Sequence, residues 1–229
     1  MKFKALLLDI DNTLYDYNNT HNIAKKSVVE FCKNKFNIDE KVILKAYEKA
    51  RKNVHIELSE TAASHNRLIY FQKMCEILKI NPLESSFIIY NIYWDAFLEN
   101  IIPFDGVYKL LEKYKNNICL VTDLTAHIQY RKVEKLKLNE YCQAIVTSEE
   151  AGKEKPHPYM FMLALKKLDL KADEVCMIGD SFKKDIFGAS NLGINAIWFN
   201  HENKSESIES DLIKEVKIFD EILELIWMK

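Results

Sequence analysis

The fold of this chain is decided by an apolar run that ends in two aspartates, LLLDIDNTLYD at residues 6–16. Three consecutive leucines are typical of a strand buried on both faces, yet Asp9 and Asp11 follow at once. Two carboxylates at a partly buried strand end repel each other by roughly a few kcal/mol when no cation is near. One interpretation is a strand followed by a solvated acidic turn. The other is that a bound cation or a basic residue from elsewhere in the chain lies beside the two aspartates.

Apolar runs of the same kind recur along the chain, and each ends in Asp, Thr, Ser or Asn. They lie at residues 4–10, 118–123, 144–148, 175–180 and 194–200. Helical patterns separate several of them, including 126–136 and 158–168. This alternation predicts an α/β fold with a doubly wound, mostly parallel sheet, in which ligands bind at the carboxyl ends of the strands.

One interval, residues 20–100, contains helical patterns only, at 21–36, 39–54 with Asp39 as N-cap, 66–78 and 83–98. Four helical segments are more than a single crossover between two neighbouring strands requires. We therefore predict a helical domain at 20–100, inserted into an α/β core formed by 1–19 and 101–229. Its large apolar side chains are expected to form helix-packing core, namely Phe31, Tyr47, Phe71, Phe87 and Trp94.

Composition excludes several functional classes. The chain has 229 residues and a net charge of -2, so it lacks the basic excess that nucleic-acid polymers attract. No run approaches the roughly 18 apolar residues of a membrane helix. The five cysteines are scattered without a C-x-x-C pair, which favours reduced thiols and a cytoplasmic location. Monomer and homodimer both stay open.

Four short motifs follow the predicted strands. They are the D-x-D of Asp9 and Asp11, Thr122 at the end of a strand, Lys155 before a proline, and G-D-S-x-x-x-D at 179–185. Each alone is common in a chain with 34 acidic residues, but in a parallel sheet all four would meet at one edge. Their combination therefore predicts a single site.

In their order and spacing these motifs resemble those of the haloacid dehalogenase superfamily, which has a Rossmann-like core. The helical insertion is similar to the superfamily's C1 cap, which is expected to close over the site and select the substrate. DNTLY at 11–15 together with SHNR at 64–67 resembles the branch of nucleoside 5'-monophosphatases and acylneuraminate 9-phosphate phosphatases. The resemblance implies a hydrolase that acts on phosphate monoesters of small metabolites.

The resemblance also implies residue roles. Asp9 would be the nucleophile that forms an aspartyl-phosphate, and Asp11 the general acid and base. Phosphate binding would fall to Thr122, Asp123 and Lys155. The expected cofactor is Mg²⁺, with these ligands: Asp9, the backbone carbonyl of Asp11, Asp180 and Asp185.

Charge counting supports the need for a metal. The carboxylates of the motifs and a phosphate ester bring more negative charge than Lys155 and Mg²⁺ return, so hydrolysis should depend on the metal. The same crowding of like charges predicts that Asp11 holds a proton more easily than a free aspartate.

The second aspartate separates the alternatives. Dehalogenases resemble this chain but typically lack an acid at the position of Asp11, so a 2-haloacid dehalogenase is the weaker interpretation. A phosphomutase would use the same motifs, and a non-catalytic binding module would have no need of Asp11 with Lys155.

One departure from the motifs is Leu124, which stands where the superfamily often has glycine. Candidate substrate residues are Arg67 and Tyr15, and Tyr17, Arg51 and His65 are further candidates.

Overall fold

The computed structural model describes residues 3–59 and 61–227. The chain divides into two compact units, one formed by Met1–Asp16 with Ile102–Lys229 and the other by Tyr17–Ile101. The first is an α/β unit that contains all four motifs that follow the predicted strands. The second consists of helices.

The α/β unit is built on a six-stranded sheet in which every neighbouring pair is parallel. Its strands are β1 (Ala5–Leu8), β2 (Ile118–Thr122), β3 (Ala144–Thr147), β4 (Val175–Gly179), β5 (Asn195–Phe199) and β6 (Ile213–Val216). Their spatial order is β3-β2-β1-β4-β5-β6. The predicted α/β fold with a parallel sheet is thus confirmed.

The strand order reverses at β1, which lies between β2 and β4. Leu8, the last residue of β1, pairs with Leu120 on one side and with Ile178 on the other. The chain therefore leaves these three strands at the same edge, beside the switch point where ligands bind in open α/β sheets. The first motif aspartate, Asp9, is the residue that follows β1.

The apolar runs are buried because helices cover both faces of the sheet. Every residue of β1, β2 and β4 is buried. The helices of this unit are α5 (Val107–Lys113), α6 (Ala126–Lys135), α7 (Ser148–Ala151), α8 (Pro158–Leu168), α9 (Gly188–Ser190) and α10 (Phe219–Trp227), following α1 to α4 of the other unit. Phe161 of α8 and Trp198 of β5 belong to one apolar core with Leu7.

The helical unit consists of α1 (Tyr17–Phe36), α2 (Glu40–Glu57), α3 (Arg67–Leu78) and α4 (Pro82–Glu99). Capping residues define three of the starts, since Asp39, Asn66 and Asn81 each accept a hydrogen bond from a backbone N–H of the following turn. The extended backbone at these caps and the proline that opens α4 separate the helices from one another.

One expectation is wrong, and one strand was missed. Phe87 of α4 is 60% exposed and stacks on Tyr90, whereas Trp94 on the same helix is buried, so the helix turns Phe87 away from the core. The edge strand β6 was not predicted, because its sequence IKEV places two exposed charges between buried ends. The continuous apolar pattern that marks the inner strands is absent from such an edge strand.

Two further findings concern the whole described chain. Within it, no helix combines the length and the apolar character that a membrane crossing requires. The five cysteines are free thiols, and four of them are buried.

Candidate active site

Lys155 is the basic residue that the opening stretch required. Its Nζ lies 2.6 Å from Asp9 Oδ1 and 2.6 Å from Asp185 Oδ1, and it donates a hydrogen bond of 2.9 Å to the Val121 carbonyl. Burial alone would lower the pKa of Lys155, but Asp185 and Asp9 outweigh burial and raise that pKa above its ordinary value. The lysine is therefore a fixed positive charge at the end of β1.

Three carboxylates surround this lysine. One oxygen from each of Asp9, Asp180 and Asp185 lies within 4.8 Å of the others. Asp180 follows β4, and Asp185 is carried by a π-helical turn, Phe182–Phe187. Gly179 makes room for this turn, because a Cβ at that position would lie 2.5 Å from the Asp185 carboxylate. We call these three aspartates the carboxylate cluster.

The carboxylate cluster carries more negative charge than its lysines neutralise. Besides Lys155, the positive group paired with it is the half-exposed Lys204, 3.6 Å from Asp180. Burial, with added repulsion from Asp185, raises the pKa of Asp9 to about 7 against the opposing effect of Lys155. Burial also raises the pKa of Asp180 and of Asp185. A hard divalent cation with oxygen ligands fits this donor set.

Thr13 and Asn12 brace the carboxylate cluster from the loop after β1. The Thr13 hydroxyl donates to Asp9 Oδ2 at 3.0 Å and accepts a hydrogen bond of 3.0 Å from the Asp180 backbone N–H. The Asn12 amide donates to Asp180 Oδ2 at 3.0 Å. The Thr13 side chain thus joins the loops that follow β1 and β4. The contacts of Thr13 and Asn12 hold the Asp9 and Asp180 carboxylates together although their charges repel.

Asp11 lies in an environment of its own. Lys132 Nζ contacts both of its carboxylate oxygens, at 2.6 and 2.7 Å, and the Gln129 amide donates to it at 3.1 Å. The Tyr15 hydroxyl also donates to it. Burial alone would raise the pKa of Asp11, but Lys132 and the hydrogen bonds outweigh burial and hold that pKa below its usual value. The expectation that Asp11 holds a proton easily is therefore wrong for this structure.

Lys132 and Gln129 were missed in the sequence. They lie on α6, whose sequence AHIQYRKVEK is typical of a solvated surface helix, yet both side chains are fully buried. The available signal was their spacing. Residues three apart share one helix face, so both point back toward the end of β2.

Thr122 and Asp123 connect Asp11 to the carboxylate cluster. Gln129 Nε2 donates to Thr122 Oγ1 at 2.8 Å as well as to Asp11, which ties the two predicted residues together. The Asp123 side chain accepts from the Lys155 backbone N–H at 3.0 Å and pairs with Lys184 at 2.7 Å. Asp123 therefore holds the loop that carries Lys155.

Leu124 stands at a position where the superfamily often has glycine. Its backbone has a φ of 93°, a conformation that favours glycine. Its carbonyl accepts a hydrogen bond of 3.2 Å from Ser148, and its side chain is buried. A large residue in this region carries a strain of about 1–3 kcal/mol. The loop after β2 thus has a left-handed residue at this position although the side chain is not that of glycine.

The structure brings some of the predicted site residues together and places others in the helical unit. Asp9, Lys155, Asp180 and Asp185 meet in the carboxylate cluster, and Asp11 with Thr122 forms an adjoining group. Tyr15 is buried in the α/β unit, with its hydroxyl committed to Asp11. The other candidates, Tyr17, Arg51, His65 and Arg67, belong to the helical unit.

Comparison with known proteins places the chain among phosphatases. It is 34% identical over 211 residues to a ribulose-1,5-bisphosphate 5-phosphatase of Halopiger xanaduensis, covering 90% of this chain and 88% of the relative. A glyceraldehyde 3-phosphate phosphatase of Pyrococcus furiosus is 27% identical, with 90% and 84% covered. An N-acylneuraminate-9-phosphatase of Mus musculus, from the branch that the motifs resemble, is 24% identical, with 89% and 85% covered.

Solved structures share the fold. A phosphatase from Thermococcus onnurineus superposes with a TM-score of 0.75 at 20% identity, covering 99% of this chain and 98% of that one. A 2-haloacid dehalogenase from Pseudomonas syringae matches equally well, with a TM-score of 0.75, 20% identity and 96% of both chains covered. The family model for haloacid dehalogenase-like hydrolases matches residues 6–199. The chain therefore belongs to the haloacid dehalogenase-like hydrolase family, as its four motifs predicted.

Proposed function

We propose that this protein is a Mg²⁺-dependent phosphatase that hydrolyses phosphate monoesters of small sugars through an aspartyl-phosphate on Asp9. The observation that supports this most is the separate setting of the two motif aspartates. Asp9 belongs to the carboxylate cluster, whereas Asp11 is held apart by Lys132, Tyr15 and Gln129. A nucleophile and an acid-base group need such different environments. A dehalogenase has no use for the second group.

Asp9 is the proposed nucleophile that attacks phosphorus. Lys155 and Thr13 bind one oxygen each, so the carboxylate is fixed in orientation rather than free to rotate. Burial removes the water that makes a carboxylate a weak nucleophile. In the first step, an Asp9 oxygen forms the bond to phosphorus while the bond from phosphorus to the alcohol oxygen breaks. Water then attacks the aspartyl-phosphate and releases inorganic phosphate and the free carboxylate.

Asp11 is proposed to move the proton in both steps. It donates a proton to the leaving alcohol oxygen and then takes one from the attacking water. The contacts with Lys132 favour the ionised form, which is the form that the second step requires. The first step needs the protonated form, so the ion pair between Asp11 and Lys132 must loosen when the ester binds.

Binding of the phosphoryl oxygens is proposed for Thr122, Lys155 and the backbone N–H groups near Asp123. Thr122 is buried beside Asp11, and Lys155 contacts Asp9. The Thr122 hydroxyl and the Lys155 ammonium are donors that match the charge of a transferring phosphoryl group.

The proposed metal ligands are Asp9, Asp180, Asp185 and the backbone carbonyl of Asp11. The excess negative charge and the oxygen-only donor set of the carboxylate cluster fit Mg²⁺. When bound, the ion supplies positive charge that lets a phosphate approach the carboxylates.

The proposed substrates are small phosphorylated sugars. The most similar of the relatives described above acts on ribulose-1,5-bisphosphate, and another acts on glyceraldehyde 3-phosphate. Both are short sugar phosphates, and the first carries two phosphate groups. Free, mostly buried cysteines are consistent with the proposed cytoplasmic location.

We expect hydrolysis of these sugar phosphates, and of a generic aryl phosphate, to require Mg²⁺. Treatment with EDTA should abolish phosphate release, because the metal-free carboxylate cluster repels the substrate, and added Mg²⁺ should restore it. The measurement is a phosphate-release screen over a panel of sugar phosphates, nucleotides and acylneuraminate 9-phosphate, with and without EDTA. Undiminished hydrolysis in EDTA, or metal-free turnover of 2-haloacids with no phosphatase activity, would overturn the proposal.

A further inference from the structure

The helical unit contains a buried arginine whose charge is not neutralised. Arg67, the first residue of α3, is only 6% exposed. It donates to the His65 carbonyl at 3.1 Å and to the Tyr17 hydroxyl. Both acceptors are uncharged. Two hydrogen bonds to neutral oxygens do not offset the cost of burying a guanidinium, which in proteins is usually paired with an acid.

No acid supplies that missing charge. Among residues 3–59 and 61–227, no carboxylate forms an ion pair with Arg67. Within the same ranges, Arg67 Nε and the buried Tyr47 hydroxyl have no hydrogen-bond partner. Donors left unused beside a buried cation are costly unless something binds to them.

The surrounding side chains are aromatic and uncharged at pH 7. The guanidinium carbon lies 4.8 Å from the ring centre of Tyr70 and 5.7 Å from that of Tyr93. Burial raises the pKa of Tyr47 to about 12, so its hydroxyl keeps its proton. Burial and then the charge of Arg67 lower the pKa of His21 to about 3, so the imidazole is neutral. Taken together, Arg67 and the neighbouring side chains of His21, Tyr47, Tyr70 and Tyr93 thus carry a net charge of +1.

We propose that Arg67, with the Tyr17 and Tyr47 hydroxyls, forms an anion-binding site in the helical unit and that its ligand is a phosphate group. Tyr17 and His65, which supply the acceptors for Arg67, are partly exposed and give an anion a route to the guanidinium. A guanidinium donates two parallel hydrogen bonds to phosphate oxygens, and tyrosine hydroxyls add further donors. The choice of phosphate over other anions rests on the proposed function.

The test measures binding, not turnover. Inorganic phosphate is titrated calorimetrically into the full chain in EDTA at constant ionic strength, where the metal-free carboxylate cluster repels anions. Arg67→Gln should weaken phosphate binding by about 10- to 100-fold, the usual weight of charge-assisted hydrogen bonds. The matched control is Lys49→Gln, which removes a positive charge from an exposed side chain of the same unit. Its affinity for phosphate should be unchanged.

A second variant keeps the inference testable if Arg67→Gln does not fold. Tyr17→Glu places a carboxylate beside the guanidinium and an acid in the first turn of α1, where the helix dipole favours it. The variant should melt at or above the wild-type temperature and yet lose phosphate binding. Wild-type phosphate affinity in Tyr17→Glu and in folded Arg67→Gln, or no phosphate binding by the wild type, would overturn the inference.

A final comparison identifies the source of the phosphate. In EDTA, a sugar monophosphate is titrated beside inorganic phosphate. An affinity for the sugar phosphate that exceeds the affinity for inorganic phosphate by about tenfold, and that Arg67→Gln removes, assigns the site to an organic phosphate. Loss of inorganic phosphate binding without such a preference assigns it to free phosphate. Because turnover is not needed, the site stands even if no ester is hydrolysed, and an active phosphatase whose Arg67→Gln variant still binds phosphate refutes this inference alone.

Discussion

Asp9→Asn is expected to lower kcat for every phosphate ester by about 10⁴-fold or more, because no other group can form the covalent bond to phosphorus. The variant should stay folded. Asn removes one negative charge from a cluster of three carboxylates, of which Asp9 and Asp185 share the buried Lys155, so the melting temperature of the variant without metal should equal or exceed that of the wild type. The measurements are steady-state phosphate release and thermal unfolding.

The matched control for this substitution is Asp211→Asn. Asp211 is an exposed aspartate outside the strands and helices, so the same chemical change there should leave kcat and melting temperature as they were. An Asp9→Asn chain that keeps more than a few per cent of wild-type kcat would show that another residue attacks the ester.

Lys155→Met is expected to cost about 3–5 kcal/mol of unfolding free energy in EDTA, since it leaves a buried group of carboxylates without its cation. The Val121 carbonyl also loses its donor. Added Mg²⁺ should recover part of this loss, because an ion that binds only the folded cluster stabilises it. Denaturant unfolding with EDTA or with Mg²⁺ measures both effects, and phosphate release should be lost in either condition.

Lys153→Met tests whether the effect is local. Lys153 is an exposed lysine two residues away, and its loss should change the unfolding free energy by less than about 0.5 kcal/mol. If Lys155→Met were as mild as this control in EDTA, the three carboxylates would not depend on Lys155 for their charge balance.

The strand ends of this fold were predictable because a parallel strand buried on both faces needs an uninterrupted apolar run. The step from such a run to Asp9 or Asp180 is visible in the sequence, and the superfamily resemblance adds the order of the motifs. Parallel strands then bring these ends to one edge. Lys155 is nearly as clear, since it lies three residues before Pro158, which opens α8.

The environment of Asp11 could not be read in the same way. Lys132 lies on a helix rich in charged residues, where one buried lysine looks like its solvated neighbours. Charge counting without Lys132 gave the wrong direction for the pKa of Asp11. The burial of Arg67 was equally hidden, because a sequence shows a cation but not the absence of an acid beside it. Both environments depend on contacts between side chains that lie far apart in the sequence.

The most direct test of the central claim is detection of the phosphorylated aspartate. The wild-type chain and Asp11→Asn, which retains the nucleophile but loses the group that activates water, are mixed with Mg²⁺ and an aryl phosphate, whose leaving group needs no general acid, and are quenched in acid within one turnover. Mass spectrometry of the peptide containing residues 6–16 should show one added phosphoryl group on Asp9, in a larger fraction of Asp11→Asn than of the wild type. Asp9→Asn should show none. Release of phosphate by the wild type without phosphorylated Asp9 at any quench time would contradict the account.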